Sequence, residues 1–259
     1  MRLKDTIHDQ LPKKIALLIV FILLFLGAGE LIDVEWEDIV NNGSQAIMFL
    51  SGFLHPEWSY LPELVGPMIE TILMSIAGTF LGVIFAIPAA FLGTYVVTRN
   101  HVVTYLFRGF FSLVRTIPNL LLAAIFVAIV GIGELTGVLT IAVFTFGMVS
   151  QLIFGAIETI DEGPIEADES IGATRFQMAL NAVWPQVKEA VYGYALYAFE
   201  VNIRASAVLG YVGAGGIGVM LNSALSFFQF GRVSLIILMI LLMVFVTSAI
   251  SKYIRKEVI

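Results

Sequence analysis

The chain has 259 residues, 59% of them hydrophobic and only 13% charged, with a mean hydropathy of +0.94. A soluble domain carries about a quarter of its residues as charges, so this composition excludes an ordinary water-soluble fold and calls for several membrane-embedded helices. The net charge of −6 argues against a nucleic-acid partner, the lack of cysteine excludes thiolate chemistry, and His8, His55 and His101 stand at no metal-ligand spacing.

Six spans are predicted, and the bilayer core sets their length at about 20 residues. The first covers 15–29, behind Lys13 and Lys14. Its basic start and the small run Gly27-Ala28-Gly29 also allow a cleaved signal peptide, although signal cores are shorter, about 7–15 residues. No Lys or Arg occurs between Lys14 and Arg99, whereas Glu30, Asp33, Glu35, Glu37, Asp38, Glu57 and Glu63 crowd that interval, which marks an external acidic segment. Within it, residues 38–53 mix polar and apolar types at helical spacing, which fits a helix lying along the membrane surface or a plain connecting helix. Residues 1–64 thus form a tail, a first span and an external segment, and 65–259 form the main membrane domain.

The second span covers 65–92, with Glu70 near its start and Pro88 near its end. The third covers 105–132 and contains Arg108, Arg115 and Pro118, and the fourth, 135–157, is uncharged. The fifth covers 190–212 and the last 233–250. Between these two, residues 205–230 are uncharged and rich in glycine. An extra span there would put the basic C-terminus outside, so a broken or re-entrant segment shielded by protein is the better expectation. The positive-inside rule puts Arg2, Lys4, Lys13 and Lys14 in the cytoplasm, then Arg99 and Arg108, then Lys252, Arg255 and Lys256. Both termini are therefore expected inside, with Arg232 as the outer exception.

After the fourth span comes the most polar stretch of the chain, residues 161–189, with Asp161, Glu162, Glu166, Asp168, Glu169, Arg175, Lys188 and Glu189. Pro164 suits a helix start, and Glu166, Asp168 and Glu169 complement the positive end of its dipole. Gly172 permits a close approach or a turn, and a second helix over 174–183 is expected to stop before Pro185. A helix–glycine–helix that projects from a membrane bundle can fit a partner's groove and pass motion into the spans it joins.

Four ionisable residues at membrane depth invite two readings each. Glu200 and Arg204, four apart, share a helix face. They form a structural ion pair, or Arg204 offers positive potential to an anion while Glu200 holds it in place. Arg115 is a basic residue at the cytoplasmic end of its span, or it joins the N–H groups freed by Pro118 in facing an anion. Glu70 is a packing residue near the outer face or a pathway residue. Gly213, Gly215 and Gly218 satisfy G-x-G-x-x-G, but neither a preceding strand nor a following acid supports a dinucleotide site. No G-x-x-x-x-G-K-[ST] pattern occurs anywhere.

Glu166-Ala167-Asp168, Gly172 and Pro185 fall at the spacing of the EAA loop of ABC importer permeases, which this segment resembles. Glu70-Thr71 with Gly78-Thr79, Gly82 and Pro88, and Arg115-Thr116-Ile117-Pro118, resemble the opening of a type 1 permease domain. The runs from Phe199 to Ser206 and from Leu209 through Gly213, Gly215, Gly216 and Gly218 are most similar to phosphonate permeases, and methionine permeases share the glycine run. The chain departs from the pattern at Asp168, where the loop usually has a second alanine, and at Ala182 and Trp184, where a hydrophobic pair usually precedes the proline.

The resemblance implies an all-α membrane protein of about six transmembrane helices, a type 1 (MetI-like) bundle with a cytoplasmic coupling-helix loop. It implies a transport subunit with no catalysis of its own and no cofactor in this chain, ATP and Mg being held by the partner. It implies a second permease copy, two cytoplasmic ABC ATPase subunits and an extracytoplasmic substrate-binding protein, in a bacterial or archaeal cytoplasmic membrane. The cargo would be phosphonate, phosphite or phosphate. Methionine, or an ATP-independent secondary transporter, are the alternatives.

Overall fold

The computed structural model describes residues 11–31 and 43–258, and every regular element among them is helical. Arg2, Lys4, His8, Asp33, Glu35, Glu37 and Asp38 lie outside the described residues. The chain divides into two units, residues 1–51 and 52–259. In the first, α1 (Leu11–Leu31) is apolar on all sides and long enough to cross a membrane. Helix α2 (Gly43–Phe53) ends two residues past the boundary and occupies the later part of the 38–53 segment.

The second unit is the bundle. Helix α3 (Leu61–Leu92) begins with Pro62 in its first turn, where a missing N–H costs nothing, and has 32 residues. It is therefore about 48 Å long, well over the bilayer core. A single turn, α4 (Tyr95–Thr98), ends at Arg99, which takes a left-handed φ of +48°. Helix α5 (His101–Thr116) starts under Asn100, whose Oδ1 accepts from Val102 and Val103 N–H. Ile117, ahead of Pro118, is extended, and α6 (Asn119–Val130) leaves at 90° to α5. The single span expected over 105–132 is thus a sharply broken pair. Pro118 has no N–H to continue the ladder and drives its predecessor out of the helical region.

Helix α7 (Glu134–Ile157) follows, then α8 (Gly163–Ser170) and the short α9 (Arg175–Met178). From α9 the chain passes through a π turn (Ala179–Val183) directly into α10 (Trp184–Leu209). The expected stop before Pro185 does not occur. Pro185 falls in the first turn of α10, and the wider π turn just before it is where the helix absorbs the proline. After a 3₁₀ turn (Gly210–Val212), α11 (Ile217–Ser226) departs at 48°, a broken segment as the glycines led one to expect. Helix α12 (Phe230–Val258) closes the chain. Four helices are thus long and apolar enough to span a membrane, or six spans if each bent pair counts as one.

Close helix approach holds the bundle. A Cβ on Gly78 would lie 2.5 Å from Ile141 Cγ2 and one on Gly82 2.6 Å from Thr145 Cβ, so α3 and α7 meet backbone to side chain. Between them and α10 runs a buried polar ladder. Asn202 Nδ2 donates to Thr79 Oγ1 and to Thr145 Oγ1, both at 2.8 Å, and Ser75 and Ser206 hydroxyls are 3.1 Å apart. Thr79 and Thr145 lie close to the midpoints of α3 and α7, so this ladder marks the middle of the bundle.

Candidate functional site

The polar segment 161–189 forms a compact projection at the end of the bundle where α3 and α7 finish. Ile165 of α8 is 3% exposed and packs with Ile153, Ile157, Met178, Val183 and Val187, which pins α8 to α7 and α10. Asp161 and Gln186 exchange two bonds, Asp161 N–H to Gln186 Oε1 at 3.0 Å and Gln186 Nε2 to Asp161 O at 3.2 Å. Glu169 pairs with Arg99 at 2.5 Å and stands 3.9 Å from Arg175. Thr174 and Gln177 close a capping box at the start of α9.

This leaves an outward surface. Glu166 and Ala167 are exposed, Asp168 is half-buried, and Ile171 and Phe176 are 81% and 73% exposed. Gly172 turns the chain between α8 and α9 at φ +77° with nothing within 4 Å of where a Cβ would sit. Its role is the turn itself. Pro185 is set back in α10, away from that tip. Gln186 and Ile165, which fasten the segment, were not singled out in the sequence, and Arg99 was read only for orientation, because their partners come from distant elements.

Arg115, at the end of α5, donates to Gln151 of α7 and lines an open hollow of about 890 Å³ with Asp161, Gln186 and Tyr194. A second hollow of about 670 Å³ shares Gln186 and Tyr194 and adds Tyr197 and Arg255. Polar groups from α5, α7, α10 and α12 thus line two adjoining hollows that form a recess beside the projection. Of these, only Arg115 was read from the sequence as a pathway candidate.

Glu200 and Arg204 do not pair as their spacing suggested. Glu200 accepts from Ser248 Oγ at 3.1 Å and faces Arg255 at 3.9 Å, both on α12. Tertiary packing offers it a neighbouring hydroxyl and a second cation, and it takes those. Arg204 is exposed and makes no hydrogen bond or ion pair among the described residues. Glu70 is half-buried on α3 and likewise makes none among the described residues. Its neighbour Thr71 is the busier group: the hydroxyl donates to Pro67 O and accepts from Ile217 N–H, both at 2.8 Å, and so caps α11.

The glycine run is a backbone crossing. A Cβ on Gly210 would lie 2.0 Å from Gly218 C, so the end of α10 and the start of α11 touch main chain to main chain. Gly213, Gly215 and Gly216 all have positive φ, and the last packs against Thr71 and Met74 of α3. Gly213 O accepts from Gly133 N–H at 3.0 Å, which ties the run to the turn that opens α7.

Comparison with known proteins bears on this arrangement. The chain is 40% identical over 217 residues to the phosphite transport system permease protein PtxC of Stutzerimonas stutzeri, covering 83% of this chain and 79% of that one. It is 33% identical over 190 residues to the phosphate-import permease protein PhnE of Mycolicibacterium smegmatis, covering 73% of this chain but 36% of that longer protein. Among solved structures, the inward-facing MetNI methionine ABC transporter has a chain that superposes with a TM-score of 0.66 at 20% identity, covering 76% of this chain and 96% of that one. That likeness concerns the fold. The sequence pattern of the binding-protein-dependent transport system inner membrane component family matches residues 78–259, and with the helical bundle and the close relatives it establishes that this chain belongs to that family of ABC transporter permeases.

Proposed function

We propose that this chain is the membrane subunit of an ATP-driven importer for a small phosphorus oxyanion, with phosphite, phosphonate and phosphate as the cargo class. The observation that carries the reading is the fastened yet exposed projection at 161–189. A loop of no function would have no need of a buried isoleucine, a paired glutamine and a salt bridge to hold it, nor of Ile171 and Phe176 held out to solvent. Apolar side chains so displayed mark an interaction surface. On this reading Glu166, Ala167, Asp168, Gly172 and Pro185 belong to the element that docks on a cytoplasmic ATPase holding Mg and ATP.

The basic residues Arg99, Arg108 and Arg175 gather at the same end, which the positive-inside rule assigns to the cytoplasm, with both termini on that side. Arg115 and the recess beside it then open inward, and Glu70 lies toward the outer end, where an external binding protein would deliver cargo. One permease domain per chain calls for two chains, most simply two copies. The relatives named for phosphite and phosphate transport support the cargo class. The recess offers guanidinium, amide and phenol donors to a small tetrahedral anion, with the carboxylates of Asp161 and Glu189 also on its lining.

The test is uptake of labelled phosphite and methylphosphonate by vesicles that contain this chain, its ATPase and its binding protein. Uptake should require ATP and yield to excess phosphorus anions but not to methionine. Equal uptake without the ATPase, or competition by methionine alone, would overturn the reading.

A further inference from the structure

The middle of the bundle carries a charge that no described residue neutralises. Arg204 lies two residues from Asn202 and two from Ser206, whose bonds reach the midpoints of α3 and α7. The nearest acid on its own helix, Glu200, is committed to Ser248 and Arg255. Arg204 is nevertheless exposed. An arginine at the centre of a bilayer does not face lipid; it faces water, a partner or cargo.

Its surroundings on the helix say which. Tyr197, Arg204 and Tyr211 recur every seven residues and so share one face, with Val208 between the last two. Tyr197, Val208 and Tyr211 are 46%, 47% and 48% exposed. Both phenol hydroxyls lack hydrogen-bond partners among the described residues. Toward the projection this face runs into the recess through Tyr197 and Tyr194, and from there to Arg115. Donors thus recur from the midplane to one end, beside the carboxylates of Glu200, Glu189 and Asp161, of which Glu200 is engaged by Ser248 and Arg255.

We propose that two copies of this chain appose the face formed by Tyr197 and Arg204 of α10 and Tyr211 of the 3₁₀ turn that follows it, and that the two Arg204 guanidiniums form a relay site for one tetrahedral oxyanion at the midplane. The inference rests on the importer reading. A second copy supplies what the described residues of the bundle do not, a wall that keeps Arg204 from lipid. A two-fold axis is the commonest way for identical chains to meet. Two like charges brought together repel, and an oxyanion between them reverses the sign of that interaction. A phosphorus oxyanion offers enough acceptors for a forked contact from each guanidinium, with phenol donors to spare. Without a fixed counter-ion the site holds cargo only in passing, as a conduit must.

The chain contains no cysteine, so single-cysteine variants report directly. In the reconstituted transporter, Arg204→Cys and Tyr211→Cys should each give cross-linked dimers with a short bifunctional maleimide. Phe245→Cys, exposed on α12, should not. In Tyr211→Cys an anionic thiosulfonate should react faster than a cationic one, and adding Arg204→Gln should abolish that preference. Uptake of phosphite and methylphosphonate should fall about 10- to 100-fold in Arg204→Gln, the loss of a charge-assisted contact, and less in Arg204→Lys. Absence of cross-links at 204 and 211, or unchanged reagent preference in the double variant, would overturn the site. Cross-linking and reagent selectivity use no cargo. If both hold while phosphorus anions are not transported, the anion relay stands and the cargo assignment fails.

Discussion

Gly172 and Glu200 show at the scale of single residues what a sequence can and cannot disclose. Gly172 was legible in part: a glycine between two polar helical runs permits a close approach or a turn, and the turn, at φ +77°, is what the chain adopts. Open space surrounds the missing Cβ, so a side chain there is opposed by torsion alone, at about 1–2 kcal/mol for most residues and less for Asn or Asp. Gly172→Asn and Gly172→Asp should therefore both insert and fold. The Asp variant adds a charge to a tip that already displays Glu166 and Glu169, so it should lose most uptake while the Asn variant keeps more. Expression level, ATPase co-purification and uptake together check this; full uptake by Gly172→Asp would remove the tip from coupling. Glu200 was illegible. Helical spacing names neighbours on the same helix, whereas Ser248 and Arg255 reach it from another element that no periodicity links to it.

Elements were legible where apolar runs are long and uninterrupted, as in α1, α3, α7 and α12, and became less so wherever proline entered. Pro118 was folded into one expected span and instead divides two helices at a right angle. Pro185 was expected to end a helix and lies inside one, because a π turn just ahead of it takes up the strain. The two prolines differ in what precedes them, an extended residue in one case and a widened turn in the other, and local sequence does not distinguish these. The attachment of α8 was equally hidden. Ile165 is the one residue of that helix buried in the core, and Ile165→Ala removes most of its packing, a change worth about 2–5 kcal/mol at a buried site. With the bundle intact, the expected result is ATP hydrolysis that continues while uptake drops. Parallel loss of both activities would mean that Ile165 supports folding at large.

The whole molecule was legible in class and in most of its order, since hydropathy and charge bias are summed over many residues and survive local error. The depth of Asn202 and the crossing of Gly210 over Gly218 were not, because both depend on which helices meet. One of those meetings governs how the protein can move. From Arg175 to Leu209 the backbone runs as one helical rod with a single π turn, about 50 Å from the exposed tip to beyond Arg204. A push at one end of such a strut arrives at the other as displacement, with no segment in between that must melt or refold. Amide exchange along residues 175–209 should accordingly be the same with and without ATP bound to the partner. The changes should gather at the joints, around Gly131–Gly133 and Gly213–Gly216. Energy drawn from the nucleotide would then reach the midplane charge by stiffness alone, so a chain of this design would lose its grip on cargo and its hold on the motor by the same bend.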